Sequence, residues 1–116
     1  MQLQSFYAPP GQIFLATDSR PLGCIALRPM EPGIGELRRL YVTPDARTSG
    51  LGRRLTEHVL THAHNNRMTR VVLNTLPTMT NAIALYESLG FTAIDPYVTD
   101  PTVGVLYFGL DLTPDL

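Results

Sequence analysis

The sequence has 116 residues, of which 44% are hydrophobic, and nine basic against ten acidic residues give it a net charge of −1. This length predicts one domain over residues 1–116 with a single core. The balanced charge gives no electrostatic basis for binding nucleic acid or an acidic membrane surface, and no window is apolar enough to span a bilayer or act as a leader. The only cysteine, Cys24, cannot form an internal disulfide, which fits the cytoplasm.

The first third of the chain predicts an antiparallel meander. Residues 1–11 contain two prolines and a glycine without periodicity, so they predict an irregular lead-in. Apolar runs over 13–16 and 22–27 predict two strands of a hairpin. After a turn over 29–35, a third strand ends near Val42, because Pro44 fixes φ and cannot donate to a ladder.

The remainder predicts alternating helices and strands. Apolar residues from Leu51 to Ala63 share one helical face, and Asn65 and Asn66 end that helix. The strand over 71–73 then follows a crossover, which predicts parallel pairing with the third strand. A second helix over 79–89 is followed by Gly90 in the left-handed conformation, and strands over 91–94 and 103–112 close the sheet. The predicted class is α+β, with a mixed sheet and the order β-β-β-α-β-α-β-β.

A glycine-rich loop joins the third strand to the first helix. Gly50 and Gly52 flank Leu51, so the backbone amides of residues 47–53 can converge at a helix N-terminus without obstruction by Cβ atoms. This arrangement predicts an anion site. It is not a P-loop, because no Gly-Lys-Ser/Thr follows, and it is not a G-x-G-x-x-G loop, because Gly52 is followed by Arg53, Arg54 and then leucine instead of glycine.

Two motifs resemble the GNAT superfamily of N-acetyltransferases. The segment RTSGLG at 47–52 fits R/Q-x-x-G-x-G/A, and AIALYESLGF at 82–91 resembles A-x-x-L-Y-E-x-x-G-F. The resemblance covers residues 12–112. It implies a GNAT-like sheet whose central parallel strands splay around acetyl-CoA, and direct transfer of the acetyl group to a primary amine of a small molecule or peptide, with no metal.

The resemblance also implies which residues hold the acyl donor. The pyrophosphate of acetyl-CoA is expected on the loop, and the pantetheine arm is expected to pair with the end of the third strand. Asn74, at the end of the next strand, either bonds the pantetheine or caps the loop after it. The expected cofactor-binding residues are Leu40, Tyr41, Val42, Arg47, Thr48, Ser49, Gly50, Leu51, Gly52, Arg53 and Asn74.

Two residues are candidates for proton transfer. An alkyl amine must lose a proton before or during its attack on the thioester. Glu36, eleven residues before Arg47, stands where family members that resemble histone acetyltransferases carry a glutamate base; alternatively it is a solvated residue paired with Arg38. Tyr86 stands at the family position of the acid that protonates the departing thiolate, and its alternative role is packing.

Other polar residues have weaker signals. His58 and His62 share a helix face, but no carboxylate or thiolate joins them at ligand spacing, so solvated histidines are predicted rather than a metal site. Four arginines either attract the 3′-phosphate of CoA or only solubilise the surface, and Arg53, beside the loop, is the better candidate for the phosphate. They are Arg38, Arg39, Arg53 and Arg54.

The N-terminus departs from the family pattern. Members begin with a strand and a helical pair ahead of the position of residue 12, where this chain is predicted to be irregular. A missing first strand would expose a sheet edge, so we hypothesise a homodimer that completes the sheet or the acceptor pocket. The alternative function is a truncated, non-catalytic module for acyl-CoA binding or dimerisation.

Overall fold

One β-sheet contains all the strands of the described residues. The computed structural model describes the backbone of residues 2–5 and all of residues 12–47 and 49–112. Its sheet has seven strands in the order β1-β2-β3-β4-β5-β7-β6, and the pairing of β4 with β5 is parallel. The predicted mixed α+β class is confirmed. In chain order the elements are β1 Gln2–Ser5, β2 Gln12–Thr17, β3 Pro21–Glu31, β4 Ile34–Val42, a 3-10 helix Pro44–Ala46, α1 Leu51–Asn65, β5 Arg70–Thr75, α2 Thr80–Ser88, β6 Thr92–Ala93 and β7 Leu106–Asp111.

The N-terminal strand corrects a prediction. β1 pairs antiparallel with β2, from Gln2 opposite Thr17 to Ser5 opposite Phe14. The irregular lead-in is therefore wrong for residues 2–5, and so is the expectation that the first strand is missing. Four residues are too few to show a period of two convincingly, which is why this edge strand escapes prediction. Residues 1 and 6–11 of the lead-in lie outside the described residues.

The hairpin of β3 and β4 is longer than predicted. Its turn is confined to Pro32 and Gly33, and Gly33 adopts φ 85°, a conformation that glycine enters without a steric penalty. Pro29, which was expected in the turn, lies in β3 opposite Gly35, next to a register shift. Such an irregularity in the ladder tolerates the absence of a backbone N–H donor at proline. The predicted turn over 29–35 is therefore too wide.

The two helices cover one face of the sheet. Alternate strand residues such as Leu37 and Leu73 belong to the same buried core as Leu55 and Val59 of α1, which are fully buried. Since successive strand residues point to opposite faces, the side chain of Glu36 points away from Leu37 and the helices, to the other face of the sheet. No helix among the described residues covers that second face. In the same residues, no helix has both the length and the apolar character needed to cross a membrane.

Both predicted helices are confirmed. α1 ends at Asn65 with Asn66 as its C-cap, whose backbone N–H donates to carbonyls of the last turn. After α2, Gly90 has φ 101°, the left-handed geometry predicted for it. The short strand β6 pairs with β7, so β7 lies between β5 and β6.

Candidate functional site

The central parallel strands separate at Glu36. The pairing of β4 and β5 covers only three positions and ends where Glu36 lies opposite Val72. Just beyond, the β3–β4 register shifts between Cys24 and Ala26, and Arg39 takes φ 58°. A bulge with a left-handed residue bends a strand away from its ladder. The predicted splay of the central strands is therefore present, with Glu36 at its vertex.

The gap between the diverging strands holds a cavity of about 180 Å³. Leu40, Asn74 and Tyr86 all line it, so β4, β5 and α2 each contribute a predicted site residue. Tyr86 is 7% exposed, and its ring lies 5.6 Å from that of Phe91. Burial raises the pKa of Tyr86 to about 12, so its phenol keeps its proton at neutral pH. The structure thus brings a neutral phenol to the gap.

The glycine loop begins where β4 ends. Gly50 has φ 77° and caps α1, and the N–H of Arg54 donates to its carbonyl at 3.1 Å, the first bond of the helix. The amides of Leu51, Gly52 and Arg53 therefore have no partner within the helix and, together with the helix dipole, favour an anion. Ser49 is tied back by its hydroxyl, which donates to the carbonyl of Ala46 at 2.5 Å. Thr48 lies outside the described residues.

Gly52 has room that the fold does not use. A Cβ placed there would lie 3.6 Å from a side-chain carbon of Leu85 and 4.0 Å from one of Val42, which are ordinary contacts. Packing within this chain therefore does not require glycine at 52. The missing side chain instead leaves the amides at the start of α1 open to approach from outside.

Arginines tie the loop to its neighbours. The Nε of Arg47 donates to the carbonyl of Val42 at 3.0 Å, and its guanidinium lies 5.7 Å from the ring centroid of Tyr41. Arg53 donates to the hydroxyl of Ser88 at 3.1 Å, which joins the start of α1 to the end of α2. Both arginines remain exposed beside the loop amides.

Glu36 is a buried hub rather than a solvated strand residue. It is only 3% exposed, so the solvated alternative is wrong, although a pairing with Arg38 exists at 3.7 Å. Its Oε1 also pairs with Arg28 at 3.2 Å. Its Oε2 accepts hydrogen bonds from Tyr97 at 2.5 Å and from Asn74 at 3.4 Å. Four donors from three strands and one loop therefore surround one carboxylate.

The site includes a residue that the sequence did not indicate. Tyr97 lies in the segment between β6 and β7 and belongs to no recognised motif, so nothing in the sequence singled it out. Its side chain lines a second, larger cavity of about 710 Å³ that Val72 and Ile94 also line. This cavity borders the sheet face that lacks a helix among the described residues. Its charged lining residues are Glu31, Arg70 and Asp95.

The histidines of α1 pack on an aromatic ring. The rings of His58 and His62 lie edge-on to Phe14, with centroids 5.0 and 5.2 Å away. Burial, followed by the neighbouring His58, lowers the pKa of His62. Within residues 12–47 and 49–112, no three His, Cys, Asp or Glu side chains are grouped so that they could hold a metal ion.

Comparison with known proteins identifies the family. Residues 2–91 match the profile described as the Acetyltransferase (GNAT) family. An uncharacterized N-acetyltransferase of Schizosaccharomyces pombe is 36% identical over 111 residues, covering 92% of this chain and 68% of that protein. The crystal structure of an acetyltransferase from Streptococcus agalactiae has a TM-score of 0.78 at 26% identity, covering 88% of this chain and 67% of that one.

A second solved structure carries a ligand. A GNAT family acetyltransferase of Elizabethkingia anophelis with acetyl-CoA bound has a TM-score of 0.76 at 22% identity, covering 88% of this chain and 76% of that one. At this identity the likeness concerns the fold. The family profile and the S. pombe relative both extend across the loop, the splayed strands and α2. The chain therefore belongs to the GNAT acetyltransferase family.

Proposed function

We propose that this protein transfers the acetyl group of acetyl-CoA to a primary amine of a small molecule or peptide. The observation that carries the proposal is the opening between β4 and β5, which starts at Glu36 and has Tyr86 on its wall. Family membership supplies the acyl-transfer chemistry, and the bound acetyl-CoA of the E. anophelis enzyme supports this donor.

The acyl donor would lie along the diverging end of β4. One edge of Leu40–Val42 is paired with β3, whereas the edge toward β5 has lost its strand partner. An extended pantetheine arm can bond such an edge as an added strand does. The pyrophosphate would then reach the amides of Leu51, Gly52 and Arg53, with Arg47 and Arg53 beside it. Asn74 would meet the arm from β5.

The acceptor would occupy the 710 Å³ cavity on the other face of the sheet. Two carboxylates, Glu31 and Asp95, line it against one arginine, Arg70, so its charge favours an amine. In the reaction, the amine nitrogen attacks the thioester carbon, Glu36 takes the proton that the amine loses, and Tyr86 protonates the leaving thiolate. A phenol with a pKa of about 12 is a weak acid but holds its proton reliably until the thiolate develops.

Location and assembly are further parts of the proposal. The unpaired thiol of Cys24 fits the reducing cytoplasm. The outer edge of β1 and the sheet face without a described helix are the surfaces that a homodimer would cover. Sedimentation velocity should then give a dimer at micromolar concentration, and a monomer throughout would refute this assembly.

Thiol release from acetyl-CoA in the presence of defined amines tests the activity. The amines are spermidine, lysine, tryptamine and a peptide that begins with alanine. We expect release with at least one of them, lowered about 10²-fold or more by Tyr86→Phe. Binding of acetyl-CoA without turnover of any amine would instead favour a non-catalytic binding module.

A further inference from the structure

The carboxylate of Glu36 is closed to a direct approach by the acceptor. Arg28 and Arg38 occupy the side of Oε1, at 3.2 and 3.7 Å. Tyr97 and Asn74 occupy Oε2, at 2.5 and 3.4 Å. The residue Glu36 as a whole is 3% exposed, and it lines neither of the two described cavities. A base in this position needs an intermediary to receive a proton.

Tyr97 lies where such an intermediary is required. Its side chain lines the larger cavity, while its hydroxyl is hydrogen-bonded to Oε2 of Glu36. Asn74, which lines the smaller cavity, donates to the same hydroxyl at 3.2 Å. The hydroxyl and the carboxylate therefore lie where the lining of the proposed acceptor cavity meets that of the proposed donor cavity.

The direction of the hydrogen bonds suits a relay. An amide nitrogen can only donate, so Asn74 points its N–H at the phenol oxygen and leaves the phenol proton directed at Glu36. Burial, followed by the hydrogen bond to Glu36, raises the pKa of Tyr97 well above its usual value, so the phenol is neutral. A neutral phenol can accept a proton on its oxygen while its own proton leaves.

The ring of Tyr97 is also held in place. It meets the ring of Tyr107 edge-on, with centroids 5.3 Å apart and planes at 85°. Tyr107 is 6% exposed and lies in β7 opposite Asn74. The three partners of Tyr97, which are Glu36, Asn74 and Tyr107, all lie in strands of the sheet, and this keeps the hydroxyl at Glu36 although Tyr97 itself belongs to a loop.

We propose that Tyr97 relays the proton of the acceptor amine to Glu36, an inference that rests on the proposed acetyl transfer. As the nitrogen forms its bond to the thioester carbon, its proton passes to the Tyr97 oxygen, and the phenol proton passes to Oε2 of Glu36. The C–S bond then breaks, and the thiolate takes a proton from Tyr86. Glu36 then returns its proton to solvent through Tyr97, and Tyr86 regains a proton from solvent. The net reaction converts an amine and a thioester into an amide and a thiol.

The test compares Tyr97→Phe with Tyr107→Phe, using acetyl-CoA and the same four amines. Phenylalanine at 97 keeps the ring contact and removes only the relay oxygen. We expect Tyr97→Phe to lower kcat about 10²-fold or more, with the KM for acetyl-CoA close to wild type, whereas the lost hydrogen bond to Glu36 lowers the Tm. Tyr107→Phe, which leaves the relay oxygen in place, should keep kcat within about twofold.

A double variant separates a relay from a structural role. If Tyr97 acts only through Glu36, then Glu36→Gln combined with Tyr97→Phe should be no slower than the slower single variant. The relay would be overturned if the losses of kcat in the two single variants add up in the double variant, if Tyr97→Phe stays active, or if Tyr97→Phe loses acetyl-CoA binding in parallel with kcat. In each of these cases, turnover by the wild type would still support the proposed function. A wild-type protein that releases no thiol with any of the amines would overturn both.

Discussion

The hydroxyl of Tyr97 lies 2.5 Å from Oε2 of Glu36, although 61 residues separate them in the sequence. The contact joins the β6–β7 segment to the vertex at which β4 and β5 separate. It places a neutral donor against a buried carboxylate, a short and strong type of hydrogen bond. The proposed proton relay therefore runs between two identified atoms, the Tyr97 oxygen and Oε2 of Glu36.

Replacing Glu36 by glutamine should separate chemistry from stability. Glutamine keeps the size and an acceptor oxygen for Tyr97 but cannot take a proton, so kcat should fall about 10²- to 10⁴-fold. Acetyl-CoA affinity should stay near that of the wild type. Steady-state kinetics with the best amine of the panel measures both quantities.

Replacing Glu36 by alanine should instead affect the fold. It leaves the Tyr97 hydroxyl without the acceptor of its proton, although Asn74 keeps Tyr97 as a partner, and this should lower the free energy of unfolding by about 1–3 kcal/mol. Urea unfolding of the alanine and glutamine variants makes this comparison. If glutamine keeps full activity, Glu36 is only a structural hub.

Tyr86 should make the protein sensitive to alkali. Burial raises its folded-state pKa to about 12 from an unfolded value near 10, so between these values the unfolded chain loses a proton that the folded chain keeps. Stability is then complete below pH 10 and declines as the pH rises toward 12, by about 2 kcal/mol for this group. Urea unfolding at pH 9 and pH 11.5, with the wild type and Tyr86→Phe, measures the difference.

The same experiment contains its own control. At pH 9 neither the wild type nor Tyr86→Phe carries a charge at position 86. Any difference between their free energies of unfolding at this pH therefore reflects the lost hydroxyl alone. Between the two pH values the wild type should lose more stability than Tyr86→Phe. Equal losses would mean that the Tyr86 phenol is not buried in solution.

The two loop glycines should respond differently to alanine. At Gly52 the new Cβ meets only ordinary contacts, and alanine favours a helix, so Tm should hold or rise. The same methyl would stand beside the unpaired amides, and acetyl-CoA should bind about tenfold more weakly or worse. Isothermal titration with acetyl-CoA checks the affinity.

Gly50→Ala is the matched comparison. Its φ of 77° is costly for any residue with a Cβ, although nothing lies within 4 Å of the added atom. The free energy of unfolding should therefore fall by about 1 kcal/mol. If Gly52→Ala binds acetyl-CoA as tightly as the wild type, the loop amides do not hold the pyrophosphate.

The sequence predicted what local patterns encode. The apolar spacing of α1, the left-handed Gly90 and the strand that ends before Pro44 each depend on nearby residues, and each is present. β1 was missed because four residues carry little periodic signal, and its identity depends on pairing with β2. The width of the β3–β4 turn was misjudged for a similar reason, since Pro29 is accommodated by an irregular ladder.

The same distinction between local sequence patterns and long-range contacts applies to the candidate site. The resemblance to the family predicted the loop and Tyr86 from two short motifs, and Glu36 from its spacing to Arg47, because these signals are local in the sequence. No spacing rule connects Glu36 with Tyr97, which reaches it only through the folded sheet. Arg28 meets Glu36 because the two lie opposite each other in the β3–β4 hairpin, whose register depends on the turn that was predicted too wide. Burial of Glu36 likewise comes from tertiary packing, which is why a solvated residue was a reasonable alternative before the fold was known.

A structure of the protein with CoA bound would show directly whether the gap between β4 and β5 holds the acyl donor. We expect the CoA thiol in this gap, with its sulfur within hydrogen-bonding distance of the Tyr86 hydroxyl. The pyrophosphate should lie on the amides of Leu51, Gly52 and Arg53. CoA bound elsewhere on the chain, or a gap that stays closed to the thiol at saturating CoA, would show that the diverging strands do not hold the acyl donor.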